Sequence, residues 1–145
     1  MDKMDYEIRR NKVELNSTSY IEIGSGKYTG KHWQEGFLFI WEGSFYMAEG
    51  IIMKYFKDYN HFGMNDIPKE VGISISSEWR KVASALDNAP KEKYQELLNL
   101  KDTSRNDMLT EVLENKESIK KMLNELAYSF EQFYQTANWV CILGI

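Results

Sequence analysis

Residues 33–58 read WQEGFLFIWEGSFYMAEGIIMKYFKD, and whether they form one helix or a strand followed by a helix decides the fold. Trp33, Phe37, Trp41, Phe45, Ala48, Ile52 and Tyr55 recur at helical spacing, and Glu-Gly recurs at 35–36, 42–43 and 49–50. That favours a single helix with a seam of small residues. Against it, FLFIW at 37–41 is rich in strand formers, and each interior glycine costs a helix about 1 kcal/mol. The reading adopted is a strand over 36–42 and a helix from Ser44 or Phe45 to Asp58, with Phe45, Ile52, Tyr55 and Phe56 facing the core.

A strand at 36–42 needs partners. Residues 12–24 supply one as a hairpin turning at Asn16-Ser17: Ser19, Ile21 and Ile23 alternate with Tyr20 and Glu22. The run WVCILGI (139–145) supplies another, because a continuous apolar segment of this length is the pattern of a strand covered on both faces. Residues 59–75 carry Gly63, Asn65-Asp66, Pro68 and Gly72 and are expected to be a loop. A helix then starts at Ser76 or Ser77, with Trp79, Val82, Ala83 and Leu86 as its apolar stripe. Pro90 opens another to about Leu100, with Tyr94, Leu97 and Leu98 inward. The most periodic element is 105–136, capped by Ser104 and weakened at Asn115-Lys116. The expectation is a single α+β domain over 1–145: a small mixed or antiparallel sheet from the N-terminal hairpin, the 36–42 strand and the C-terminal strand, packed on several helices including a long C-terminal one.

Composition narrows the function. The chain has 145 residues, 43% hydrophobic and 28% charged, a globular balance able to bury a core. Its net charge of −4 is spread without a basic stripe, so direct nucleic-acid binding is not expected. No run reaches the ~18 apolar residues of a membrane span, and MDKMDYEIRRNK at the N-terminus has no apolar signal core, so a cytoplasmic location is expected. Aromatics reach 14%, and a surplus beyond the core would serve an interface.

Catalytic patterns fail one by one. GSGKYTGK (24–31) lacks the spacing of a phosphate loop, in either register, and reads as a glycine-rich turn. His32 and His61 lie far apart in sequence, with no ligand at a diagnostic offset, so neither a metal nor a cofactor is expected. Cys141 is the single cysteine and sits inside an apolar run, where burial makes it inert. No nucleophile elbow occurs. Glu35, Glu42 and Glu49 would line one face of a continuous helix, and as a row beside Trp33 and Trp41 they could meet a basic partner. The segment Asp58-Tyr59-Asn60-His61-Phe62 mixes aromatic, amide and acidic groups, as contact loops do. No catalytic residue is assigned, and the chain is read as binding a macromolecule.

The block KHWQEGFLFIWEGSFYMAEGII (31–52), the segment ISISSEWRKVASALD (73–87) and the terminal WVCILGI together resemble immunity proteins of polymorphic toxins, in particular the antitoxin partners of LXG-type toxins of bacilli. The resemblance implies stoichiometric inhibition. The protein would occlude the C-terminal domain of a secreted toxin, often a nuclease with a basic active site, using aromatic anchors ringed by carboxylates. The residues expected to make that surface are Trp33, Glu35, Glu42, Glu49, Tyr59 and His61. The alternatives are a generic interaction or adaptor domain that self-associates, and an enzyme with a small-ligand site. The oligomeric state is left open.

Overall fold

The computed structural model describes residues 5–11, 19–100 and 106–144. In chain order these form β1 (Ile8–Arg9), β2 (Tyr20–Ser25), β3 (Leu38–Trp41), α1 (Glu42–Tyr55), β4 (Met64–Pro68), α2 (Lys69–Ala85), a 3-10 turn (Lys91–Lys93), α3 (Tyr94–Leu98), α4 (Asn106–Glu114), α5 (Lys116–Thr136) and β5 (Trp139–Leu143). The fold is α+β, with a five-stranded sheet in the order β1-β3-β2-β5-β4 and every neighbouring pair antiparallel.

The strand-then-helix reading of 33–58 is the observed order, but the strand is shorter, Leu38–Trp41, and the helix starts earlier, at Glu42, and ends earlier, at Tyr55, than the expected Ser44 or Phe45 to Asp58. The strand runs straight into the helix, and the Glu42 backbone N–H is taken by the Ser19 carbonyl at 3.0 Å. Phe45 and Ile52 are buried and Phe56 is half-buried, as expected. Tyr55 is not: it lies at the surface, where its hydroxyl donates to Glu78 at 3.2 Å. The first strand of the expected hairpin, about residues 12–15, lies outside the described residues. Its second strand is β2, whose two edges are taken by β3 and β5. The C-terminal run is the buried strand expected of it, with Val140, Cys141, Ile142 and Leu143 fully covered.

The loop expected over 59–75 is the main correction. Met64–Pro68 is an edge strand pairing with β5, and α2 begins at Lys69, well before Ser76. Asn, Asp and Pro are poor strand formers, so local propensity points away from a strand. Tertiary bonds override it: the Asn65 amide donates to the Ile142 carbonyl at 3.1 Å, and its oxygen accepts the Asn60 N–H at 2.7 Å. Pro68 sits where its missing N–H costs nothing, at the strand end and just before the helix. Gly72, expected as loop punctuation, lies inside α2, and a Cβ there would lie 2.0 Å from the Tyr134 hydroxyl, so this close packing requires glycine.

The inner face of the sheet carries Ile21, Ile23, Leu38, Ile40, Ile67, Val140 and Ile142, packed under α1, α2 and α5. Trp79 of α2 anchors this layer: its indole N–H donates to the Ala48 carbonyl at 3.1 Å, and its ring meets Phe130 edge-on with centroids 4.8 Å apart. The helix expected over 105–136 is broken at Asn115, where its stripe weakens. The Asn115 amide donates to the Glu111 carbonyl and carboxylate, and α5 restarts at Lys116. The Ser104 cap expected for it lies outside the described residues. The helix expected after Pro90 is shorter than read, because Asn99 turns left-handed at φ 51° and ends it.

Candidate protein-binding surface

The outer face of the sheet is not left to solvent. Tyr20, Phe37, Phe39, Cys141 and Leu143 form a second apolar layer there, covered by Tyr28, Trp33 and Trp41. Gly24 has no side chain because the Phe37 ring lies on it; a Cβ would be 2.0 Å from that ring. The covering loop, residues 26–36, is tied down at three points. The Gly26 N–H donates to the Trp139 carbonyl, the Tyr28 N–H to Asp66 at 2.9 Å, and the Trp33 N–H to Glu22 Oε1 at 2.6 Å.

Trp33 holds a left-handed backbone at φ 59°, an uncommon state for a bulky side chain. Its bond to Glu22 and its stacking on Phe39, at 5.5 Å between centroids, hold it there. Glu22 is only 3% exposed, and its Oε2 accepts from His32 Nδ1 at 2.7 Å. The other nitrogen of His32 lies 3.2 Å from the Tyr28 hydroxyl.

A second histidine pairs with a second buried glutamate nearby. Glu42, Tyr46 and Glu49 fall at i, i+4 and i+7 on α1, one stripe of the helix. The turn after α1 lays His61 across that stripe. Its Nδ1 donates to Glu49 Oε2 at 2.5 Å, and its Nε2 donates to Glu42 Oε2 at 2.7 Å. The Tyr59 hydroxyl donates to the same Glu49 oxygen at 2.5 Å. With both glutamates ionised the ring donates from both nitrogens, as an imidazolium does. Burial alone would lower the His61 pKa; the bonds to Glu49 and Glu42 outweigh it and hold it above the ordinary histidine value. Burial also raises the Glu49 pKa, while Tyr59 and His61 pull it back. The Tyr59 hydroxyl is pushed far above its usual range by burial and by the Glu49 charge.

This clamp presents an apolar surface. Tyr46 stacks on His61 with centroids 5.2 Å apart, and Phe62 meets the same ring edge-on at 4.7 Å. Tyr46 is 49% exposed, Phe62 71% and Met64 59%. Phe62 and Met64 border a shallow open hollow of about 360 Å³ that Tyr20, Glu22, His32 and Trp33 also line. The Gly144 N–H donates to the Gly63 carbonyl at 2.8 Å and seats the turn against the end of β5. One surface therefore runs from Tyr46 through His61, Phe62 and Met64 to Trp33 and His32.

Of the six residues expected from sequence, four are brought into one hydrogen-bonded group: Glu42, Glu49, Tyr59 and His61. Trp33 joins the same surface across the hollow. Glu35 does not; it is exposed in a turn beside a separate depression lined by Arg10, Asn11 and Gln34. Glu49 is 3% exposed, so a partner would feel it only through His61. Sequence reasoning missed Tyr46, Met64, Glu22 and His32. Tyr46 was legible as the i+4 residue between two glutamates of one stripe. The alternation sets Glu22 on the face opposite Ile21 and Ile23, but nothing local signals a loop that would bury it.

Both nitrogens of His61 are committed to carboxylates, and Cys141 is fully buried, its thiol pushed up to about 11 by burial. Among the described residues, no three His, Cys, Asp or Glu side chains gather as a metal would need, and no helix is long and apolar enough to cross a membrane. No family model matches the chain, and no curated protein or solved structure matches it.

Proposed function

We propose that this protein is an immunity protein, which binds a cognate secreted toxin domain stoichiometrically in the cytoplasm and covers its active site, with no catalysis of its own. What supports the reading is the exposed, contiguous strip of Tyr46, Phe62 and Met64 built around His61. Aromatic and methionine side chains that are rigidly backed and open to solvent have the makeup of interface anchors. Their backing is rigid because the clamp uses a buried carboxylate on α1 and two residues of one short turn. The clamp sets two glutamates against one histidine, an excess of acidic over basic groups beside the strip that suits a basic partner and speeds its approach. A nuclease domain, basic where it holds its substrate, fits that description. The sequence resemblance to LXG-toxin antitoxins supplies the biological setting.

The experiment is co-expression with the C-terminal toxin domain encoded by a neighbouring gene. The reading expects restored growth and a stable complex of defined stoichiometry on size exclusion with light scattering. Growth arrest that persists, with both proteins soluble and separate, would remove it. A self-associated dimer that buries Phe62 and ignores the toxin domain would favour the adaptor alternative.

A further inference from the structure

We infer that the hollow between the 32–33 loop and the 62–64 turn is a socket for one arginine side chain of the protein partner. The inference rests on the binding role proposed above and adds to it the chemistry of the contact. Three aromatic side chains, Tyr20, Trp33 and Phe62, line the hollow together with Met64. Aromatic faces attract cations, and a guanidinium stacks on them better than an ammonium does. Glu22 also lines it, a carboxylate 3% exposed. That carboxylate accepts one bond on each oxygen, from the Trp33 N–H and from His32 Nδ1, leaving about half of its lone-pair capacity. Among the described residues, His32 is the one basic side chain within ion-pair distance of it. The Glu22 carboxylate holds the Trp33 loop and at the same time lies inside an aromatic rim. It is well suited to a planar cation that stacks on the rim and donates to the acid, where the low exposure strengthens each bond. The hollow is open to solvent, so a side chain carried on the surface of another protein can enter it.

The test has two arms, a peptide titration and the toxin-domain complex. The probe is acetyl-Gly-Arg-Gly-amide, titrated into the full chain labelled for NMR, with the norleucine and lysine peptides as controls. The expected result is saturable shifts of the Trp33 indole and Met64 methyl signals by the arginine peptide, at a Kd on the order of millimolar for so small a probe. The lysine peptide binds more weakly and the norleucine peptide not at all. Glu22→Gln keeps the shape and weakens the arginine peptide about tenfold or more, as the loss of a charge-assisted bond requires. Phe62→Ala, at a position open to solvent, keeps the fold and also weakens it. Equal shifts by arginine and norleucine peptides, or no saturation by arginine, overturn the socket. A toxin complex that survives Glu22→Gln and Phe62→Ala unchanged also overturns it while leaving the immunity reading intact. Arginine binding with no toxin complex leaves the socket standing and removes the immunity reading.

Discussion

Replacing His61 by alanine tests the clamp that backs the exposed strip of Tyr46, Phe62 and Met64. Two bonds are lost, one to Glu49, which is 3% exposed, and one to Glu42, which is partly open to solvent. A buried bond to a charged group contributes about 1.5–3 kcal/mol, and the more exposed pair adds up to about 1 kcal/mol. Glu49 keeps only the Tyr59 hydroxyl. The expected loss at neutral pH is about 3 kcal/mol, which for a chain of this length lowers Tm by about 9 °C. The loss depends on pH in a definite direction. The folded pKa of His61 is raised, so its stabilisation is complete below its unfolded value of about 6.5 and fades as pH rises through the folded value. The folded pKa of Glu49 is raised too, so the carboxylate is protonated at the acid end and the ion pair is lost there as well. The gap between native and variant Tm is therefore widest in the mildly acidic range, below about pH 6.5 and above the pH at which Glu49 takes up its proton, and closes on both sides. Thermal melts followed by circular dichroism from pH 4 to 9 measure it. A gap that stays flat across that range, or a neutral-pH shift below about 2 °C, would refute an ionised clamp.

Other consequences are as concrete. Gly72→Ala, which in an exposed helix would gain about 1 kcal/mol, should instead destabilise by about 2 kcal/mol or more, because the new Cβ falls 2.0 Å from the Tyr134 hydroxyl; denaturant melts decide the sign. Gly24→Ala should displace the Phe37 ring and loosen the loop over Glu22, seen as faster hydrogen exchange in residues 26–36 with α5 unchanged. Cys141, fully buried with its thiol pushed up to about 11, should resist a thiol reagent at pH 8 and react at once in guanidinium; labelling of the native protein at the rate of a free thiol would contradict its placement. Tyr46→Ala and Phe62→Ala should each weaken the toxin-domain complex about tenfold or more while moving Tm little, read by calorimetric titration alongside a melt.

Much of the fold was legible because its elements announce themselves through burial. The alternation of Tyr20 to Ile23 placed each side chain on the correct face of β2, and the unbroken WVCILGI marked a strand covered on both sides. The Trp79, Val82, Ala83 and Leu86 stripe is buried as expected. What escaped was structure imposed from far along the chain. MNDIP becomes a strand through pairing with β5, more than seventy residues away, and position 72 is a glycine because Tyr134 fills the space a side chain would need. The site was partly legible for the same reason. Glu42 and Glu49 share a helix face by their spacing, so one residue of the following turn could bridge them, and His61 does. Glu22 and His32 belong to a site created by loop closure over a sheet, and no local spacing encodes that. Glu35 was grouped with the others by the Glu-Gly recurrence, but it precedes the strand and so falls outside the helix that gives the recurrence meaning.

The most direct measurement is hydrogen–deuterium exchange on this chain alone and in the presence of the toxin domain. The account predicts new protection at residues 59–64, extending to the loop at 32–34, with the α2–α5 face unchanged. Protection confined to α2 and α5, or no change anywhere at saturating toxin domain, would contradict it.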